Sequence, residues 1–282
     1  MATFFLSGCA IRPYMMDQTA QTLAGPNLSN EDDLQLARES SAFYLKLSES
    51  VLRERPGHLK LAESVAAGFT QYAYAFVVFD AEKNEKSKPQ LAAQYRDRAA
   101  RMYARAHRHA MAALEADQPG FSEALIQLDP KKRPHLVVEQ VPLVYWASAS
   151  LAGWISMSKD DPDLVADFPL AIRLAELAWQ IEPTYGHGAL ASLLGTYESA
   201  RVGGSRIKSE NYFKQAILWS HEEDAGPYVG MAESIAIPTQ NKIFFKQLLQ
   251  QAVVISQKHR NLQNEVMRDR AQWLLSITDD LF

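Results

Sequence analysis

Cysteine is almost missing from this chain of 282 residues: one thiol, Cys9, stands near its start. A lone cysteine excludes an intramolecular disulfide framework and any multi-cysteine metal site. An excess of positive charge is missing too. The formal net charge is -4, so no basic field argues for nucleic acid. No apolar run reaches the roughly 18–20 residues that a bilayer-spanning helix needs. The most apolar window, YAYAFVVF at 72–79, is far shorter. Glycine and proline number 13 each, too few for a collagen-like or disordered chain. Alternating strand patterns and Asn-Gly or Asp-Gly hairpin turns are absent. So are His-Glu-x-x-His, Gly-x-Ser-x-Gly and a phosphate-cradling glycine loop.

What remains is an ordinary globular composition, 47% hydrophobic and 22% charged, long enough for one large domain or two small ones. The lone thiol sits in Leu6-Ser7-Gly8-Cys9, the pattern of a bacterial lipobox. Small residues before the cysteine suit a signal peptidase cleft. Acyl chains on that residue hold a protein on a membrane, at about 0.8 kcal/mol per buried methylene. The region upstream has no Lys or Arg and a short apolar stretch, so 1–9 reads as a truncated signal segment whose true start lies further upstream. The competing reading is a free cytosolic thiol in a loose tail. Residues 10–33, with Pro13, Gly25 and Pro26, read as a tether. Ala10 follows the cysteine, and the absence of Asp there favours sorting to an outer membrane.

From about residue 34 to the end the pattern is helical, and 34–282 reads as one domain. Ser29 or Asn30 is the expected start signal for the first long helix, and Pro56-Gly57 its stop. A second helix starts at His58 and ends in a charged loop before Pro89; a third runs from there to Pro119. Small residues recur at spacings of four then three: Ala106, Ala110, Ala113; Ala171, Ala175, Ala178; and Ser209, Phe213, Ala216. Partner helices carry Gly68, Gly153, Gly195 and Gly230. Small residues let helices approach closely, and a separation of 35 between Gly195 and Gly230 is close to the tetratricopeptide period. The fold class is therefore all-α: four tetratricopeptide-like helix pairs in a compact α-solenoid.

Chemistry is sparse. His107 and His109 are two apart on a helix and point in different directions. Asp160, Asp161 and Asp163 resemble a calcium loop only superficially, with Ala166 and Ile172 where Gly and Glu belong. DPKKRPH at 129–135 is read as the sole basic cluster. No catalytic residue, metal site or cofactor is expected.

Four combinations are more specific: Tyr145-Trp146; Ser158-Lys159-Asp160; Tyr197-Glu198 with Arg201 and Gly203; and Gly226-Pro227-Tyr228. Together with VPLVYWASASLAGWISMSKDD and RDRAQWLLSITDDLF, they resemble the TatT family over residues 34–282. TatT proteins are lipoprotein components associated with tripartite ATP-independent periplasmic (TRAP) transporters. The resemblance implies a periplasm-facing lipoprotein anchored through Cys9, assembled as a homotrimer, which docks a periplasmic solute-binding protein. It also implies an apolar groove or channel that holds or passes a hydrophobic ligand. It supplies no catalytic residues.

The residues themselves suggest where to look. Tyr145 and Trp154 lie on opposite sides of one helix, while Trp146 and Gly153 share a face. Lys159, Glu198 and Arg201 sit near helix ends, where a charged ligand head or a partner's rim would be met, and Glu198 and Arg201 are also spaced to pair with each other. The candidate ligand or partner residues are Tyr145, Trp146, Trp154, Lys159, Tyr197, Glu198, Arg201 and Tyr228. Two other functions stay open: a cytosolic helical-repeat adaptor that captures extended peptides, and a cell-envelope enzyme with carboxylates converging in a cleft.

Overall fold

The computed structural model describes residues 11–25 and 31–282, with side chains from Met16 onward. Cys9 and the lipobox lie outside the described residues. The described chain contains helices and no strand. In order these are α1 (Ile11–Leu23), α2 (Leu34–Glu54), α3 (Leu59–Tyr72), α4 (Phe79–Asn84), α5 (Pro89–Asp117), α6 (Phe121–Leu125) and α7 (Val141–Met157). There follow α8 (Pro162–Ala166), α9 (Phe168–Ile181), α10 (Ala189–Ala200), α11 (Arg206–Trp219) and α12 (Gly226–Met231). The last three are α13 (Lys242–Lys258), α14 (Leu262–Ser276) and α15 (Thr278–Leu281). Two π-helical stretches interrupt the pattern: Ala73–Val78 joins α3 to α4, and Ala232–Ala236 follows α12.

Local signals explain most boundaries. Pro89 stands at the start of α5, where its missing N–H costs nothing. Asp161 caps α8 by accepting from the Leu164 N–H at 3.1 Å, so this acidic cluster serves a helix end. The expected caps Ser29 and Asn30 fall outside the described residues; Asp33 caps α2, accepting from the Gln35 and Leu36 amides at 2.9 and 3.1 Å.

The tether read over 10–33 is corrected in part. Its first half forms α1, with Pro13 in the opening turn, where a helix tolerates it. Ala20 and Leu23 are buried in the core. Asp17 pairs with Arg55 at 2.8 Å, and the Tyr44 hydroxyl donates to the Leu23 carbonyl at 3.2 Å.

The small-residue triplets are packing surfaces. Ala106, Ala110, Ala113, Ala171, Ala175, Ala178, Ser209, Phe213 and Ala216 are all buried. The helices that carry them pack against the glycine-bearing ones: α3 on α5, α7 on α9, and α10 on α11. Each recurrent glycine is a notch for a large side chain. A Cβ on Gly153 would stand 2.6 Å from the Tyr103 ring, and Gly195 and Gly230 both receive Phe213.

Contacts continue from each helix to the next: α5 on α7, α9 on α10, α11 on α12, α12 on α13, α13 on α14. Then α14 returns to α2, and the circuit closes. The seam is largely ionic. Arg260 meets Asp32 at 2.9 Å, Lys86 meets Asp280 at 2.8 Å, and Lys83 meets Asp269 at 3.3 Å. Phe79 and Trp273 meet edge to face across it, ring centres 5.3 Å apart.

Candidate functional site

The tightest polar cluster lies on the seam. Arg270, 7% exposed, donates to Glu82 at 2.6 Å and to Glu233 at 2.6 Å. Its guanidinium also lies 5.4 Å from the centre of the Tyr74 ring. Tyr74 and Glu233 come from the two π-helical stretches. A π turn inserts one residue per turn and so re-aims the side chains after it. Burial opposes the Arg270 charge, but Glu233, Tyr74 and Glu82 outweigh that and hold its pKa well above the ordinary value. One cation faces two carboxylates here, which makes this a fastener between α4, the segment after α12, and α14.

The most aromatic surface lies on α7, α9 and α11. Tyr145 meets Trp146 edge to face with centres 4.9 Å apart, and Tyr185 at 5.1 Å. Trp179 meets Tyr212 at 5.3 Å and Trp219 at 5.7 Å. Tyr185 opens the turn Tyr185–Gly188, which winds left-handed after it: φ is 60° at Gly186, 52° at His187 and 102° at Gly188. A Cβ on Gly188 would come within 2.7 Å of the Ala216 backbone, so only glycine lets this turn sit on α11. Beside the turn is a hollow of about 510 Å³, lined by Glu182, Thr184, His187, Leu218, Trp219 and His221.

All six aromatic side chains from Tyr145 to Trp219 in this set are half-buried, and two carboxylates stand close to them. Burial, with Asp224 nearby, pushes the Tyr145 hydroxyl above the phenol range. Burial, with Glu63 nearby, does the same to Tyr185. Burial raises both carboxyls as well; at Asp224 it outweighs the hydrogen bonds from the Gly226 amide and Gln263. The result is an aromatic group that carries its own hydroxyls, with the carboxyls of Glu63 and Asp224 near Tyr185 and Tyr145.

The other sequence candidates lie apart from this set. Trp154 is on the opposite side of α7, as helical geometry requires, and faces α5. Lys159 is exposed in the turn before α8. Tyr197 is 3% exposed; its hydroxyl donates to the Ser148 carbonyl at 3.0 Å. Glu198 accepts two hydrogen bonds from Arg201, at 2.7 and 2.8 Å, and one from the Ser205 amide at 2.7 Å. Those bonds lower its pKa. A Cβ on Gly204 would stand 1.9 Å from the Glu198 carbonyl. The combination 197–205 therefore closes the end of α10. Tyr228 packs half-buried against the C-terminal core. Sequence reasoning missed Tyr185, Trp179, Tyr212 and Trp219. The left-handed Tyr-Gly-His-Gly turn after Pro183 was the available signal.

The reading of 129–135 as the sole basic cluster is corrected. Arg101, Arg105, Arg108 and His109 rise from α5 beside Arg53, around Glu49. Glu49 is 1% exposed and accepts from Lys46 at 2.6 Å, His109 at 2.8 Å and Arg105. Burial alone would raise its carboxyl; hydrogen bonds from Lys46, Arg105 and His109 overcome that and hold it at about 2. A lowered folded-state pKa contributes stability that is present above the ordinary value and lost as pH falls towards 2. The expected result is a stability advantage over Glu49→Gln of about 3 kcal/mol at pH 7. It should shrink steadily below pH 4.5. Urea unfolding of both proteins from pH 7 to 3 measures it, and a pH-independent difference would remove the charge from the explanation.

The described residues form an all-helical framework whose contacts run from helix to helix and return from α14 to α2. The chain matches the model of the TRAP transporter T-component over residues 30–282, and it belongs to that family. It is therefore an accessory component of a TRAP transporter, with a place in the cell envelope, in a family that is not one of enzymes. It is also 26% identical over 265 residues to an uncharacterized protein of Treponema pallidum (strain Nichols), covering 90% of this chain and 82% of that one. Among the described residues, no helix is long and apolar enough to cross a membrane.

Proposed function

We propose that this protein is a lipid-anchored, periplasm-facing scaffold that docks a TRAP-type solute-binding protein and holds a small hydrophobic ligand. In this reading residues 34–282 form one domain of tetratricopeptide-like hairpins in a compact α-solenoid. Acylated Cys9 is the anchor, with the outer membrane favoured, and the working assembly is a homotrimer.

The observation that carries the ligand role is the aromatic group: Tyr145 with Trp146 and Tyr185, and Trp179 with Tyr212 and with Trp219, which lines the hollow of about 510 Å³. Ligand sites are mostly apolar concavities with a few placed polar groups, and Glu63 and Asp224 supply such groups. Lys159 and Tyr228 stand outside this aromatic group and are candidates for the partner's rim, as is the Glu198–Arg201 pair.

The test of the ligand role is a titration with the hydrophobic dye 1-anilinonaphthalene-8-sulfonate's neutral relative, N-phenyl-1-naphthylamine, followed by tryptophan quenching. Saturable binding that weakens at least tenfold in Trp146→Ala/Tyr185→Ala supports it. Equal binding by that variant, or none by the wild type, contradicts it. The anchor is tested by intact-mass measurement of protein expressed from its upstream reading frame, with Cys9→Ala as control. Acyl mass at Cys9, absent in the control, is the expected result; an unmodified thiol contradicts it.

A further inference from the structure

The hollow between α2, α5 and α7 has no part in the reading above. It measures about 650 Å³ and is lined by Glu49, Arg53, Arg101, Arg105, Arg108 and Trp154, among others. That volume suits a small molecule. Four guanidinium groups face one carboxylate here, in a protein whose formal net charge is -4.

The hydrogen bonding divides these arginines into two kinds. Arg105 is committed: it pairs with Glu49, and its guanidinium lies 4.9 Å from the centre of the Phe69 ring. Arg53 stands 3.6 Å from the same carboxylate. Glu49 is also occupied by Lys46 and His109, so its accepting capacity is spent. Arg101 and Arg108 have no ion pair among the described residues, and both are exposed. At about 100° per residue the three α5 arginines fall within about 60° of each other around the helix, one behind the other. Arg105, held by Glu49, thus stands between two free forks. The half-buried Trp154 indole forms a wall beside them.

We propose that this hollow binds a small organic anion whose oxyanion head, carboxylate or phosphate, is held by Arg101 and Arg108 while a flat apolar body lies on Trp154. A guanidinium matches either head with two parallel N–H donors, and its charge persists at any physiological pH. An indole face offers the apolar body a contact that a free inorganic ion does not use. Arg53 faces the same space, and its charge strengthens the field at the head.

The experiment is calorimetric titration of the full chain at low ionic strength with four probes: benzoate, phenyl phosphate, inorganic phosphate and benzyl alcohol. Saturable binding of benzoate or phenyl phosphate is expected, with the tighter one naming the head group. Benzyl alcohol should not bind, and inorganic phosphate should bind at least fivefold more weakly than phenyl phosphate. Arg101→Gln/Arg108→Gln should weaken the anionic probe at least tenfold. Both side chains are exposed, and a circular-dichroism melt checks that the variant folds; either single substitution serves if it does not. Trp146→Ala should leave the binding of these anionic probes unchanged, which separates this site from the aromatic group around Tyr145. Failure of both anionic probes to bind, or equal binding by the arginine variants, overturns the proposal. Equal binding of inorganic and phenyl phosphate removes Trp154 from it.

Discussion

Replacing Arg270 by Met should destabilise the protein by about 3 kcal/mol, because it leaves two carboxylates without their shared cation. The reasoning rests on what is left behind. Arg270 is nearly enclosed, while Glu82 and Glu233 keep 32% and 27% of their side chains exposed. Without the guanidinium, two carboxylates face each other in a partly desolvated seam. In a chain of this size that loss lowers Tm by roughly 5 °C. Arg270→Met with Glu82→Gln and Glu233→Gln should recover much of the stability, because an uncharged cluster leaves no charge uncompensated. Urea unfolding of the single and triple variants measures both. If the triple variant is no better than the single, packing of the Arg270 stem on Tyr74 and Phe79 is the larger contribution.

Phe213→Ala should cost about 3–5 kcal/mol through the cavity it opens. Phe213 is fully buried, and its ring fills the notches at Gly195 and Gly230. A Cβ on those glycines would stand 3.0 and 2.9 Å from the ring, so Gly195→Ala alone should cost about 1–3 kcal/mol through overpacking. In the Phe213→Ala background the same methyl has space, and its cost should largely vanish. This coupling, read by a double-mutant cycle in urea, distinguishes a packing notch from glycine's effect on helix propensity. A helix-propensity effect would be the same in both backgrounds and, because alanine is the better helix former, of opposite sign.

The same residues show how far the sequence could be read. Helix existence, the stop at Pro56-Gly57 and the small-residue faces followed from local chemistry. So did the Glu198–Arg201 pair, because a spacing of three brings the two side chains together at the end of one helix. The seam was not legible, since Arg270 and Glu82 are 188 positions apart and no local pattern joins them. Neither were the π turns that aim Tyr74 and Glu233, which a 3.6-residue period cannot foresee. The arginines of α5 were visible in RMYARAHRH, but Glu49, which organises them, lies 56 positions from Arg105. Helix α1 was read as tether because its proline and polar residues mask the two positions, Ala20 and Leu23, that reach the core. Of the aromatic group, Tyr145 and Trp146 were identified; Tyr185 was not, because it lies 40 positions from Tyr145 in a turn and no local pattern joins them.

The measurement closest to the central claim is sedimentation velocity of this protein mixed with the TRAP-type periplasmic solute-binding protein of its own organism. The account predicts a faster-sedimenting complex built on three copies of this chain, with the solute-binding protein bound to them. Two species that sediment independently over the micromolar range, with this chain as a monomer, would contradict it.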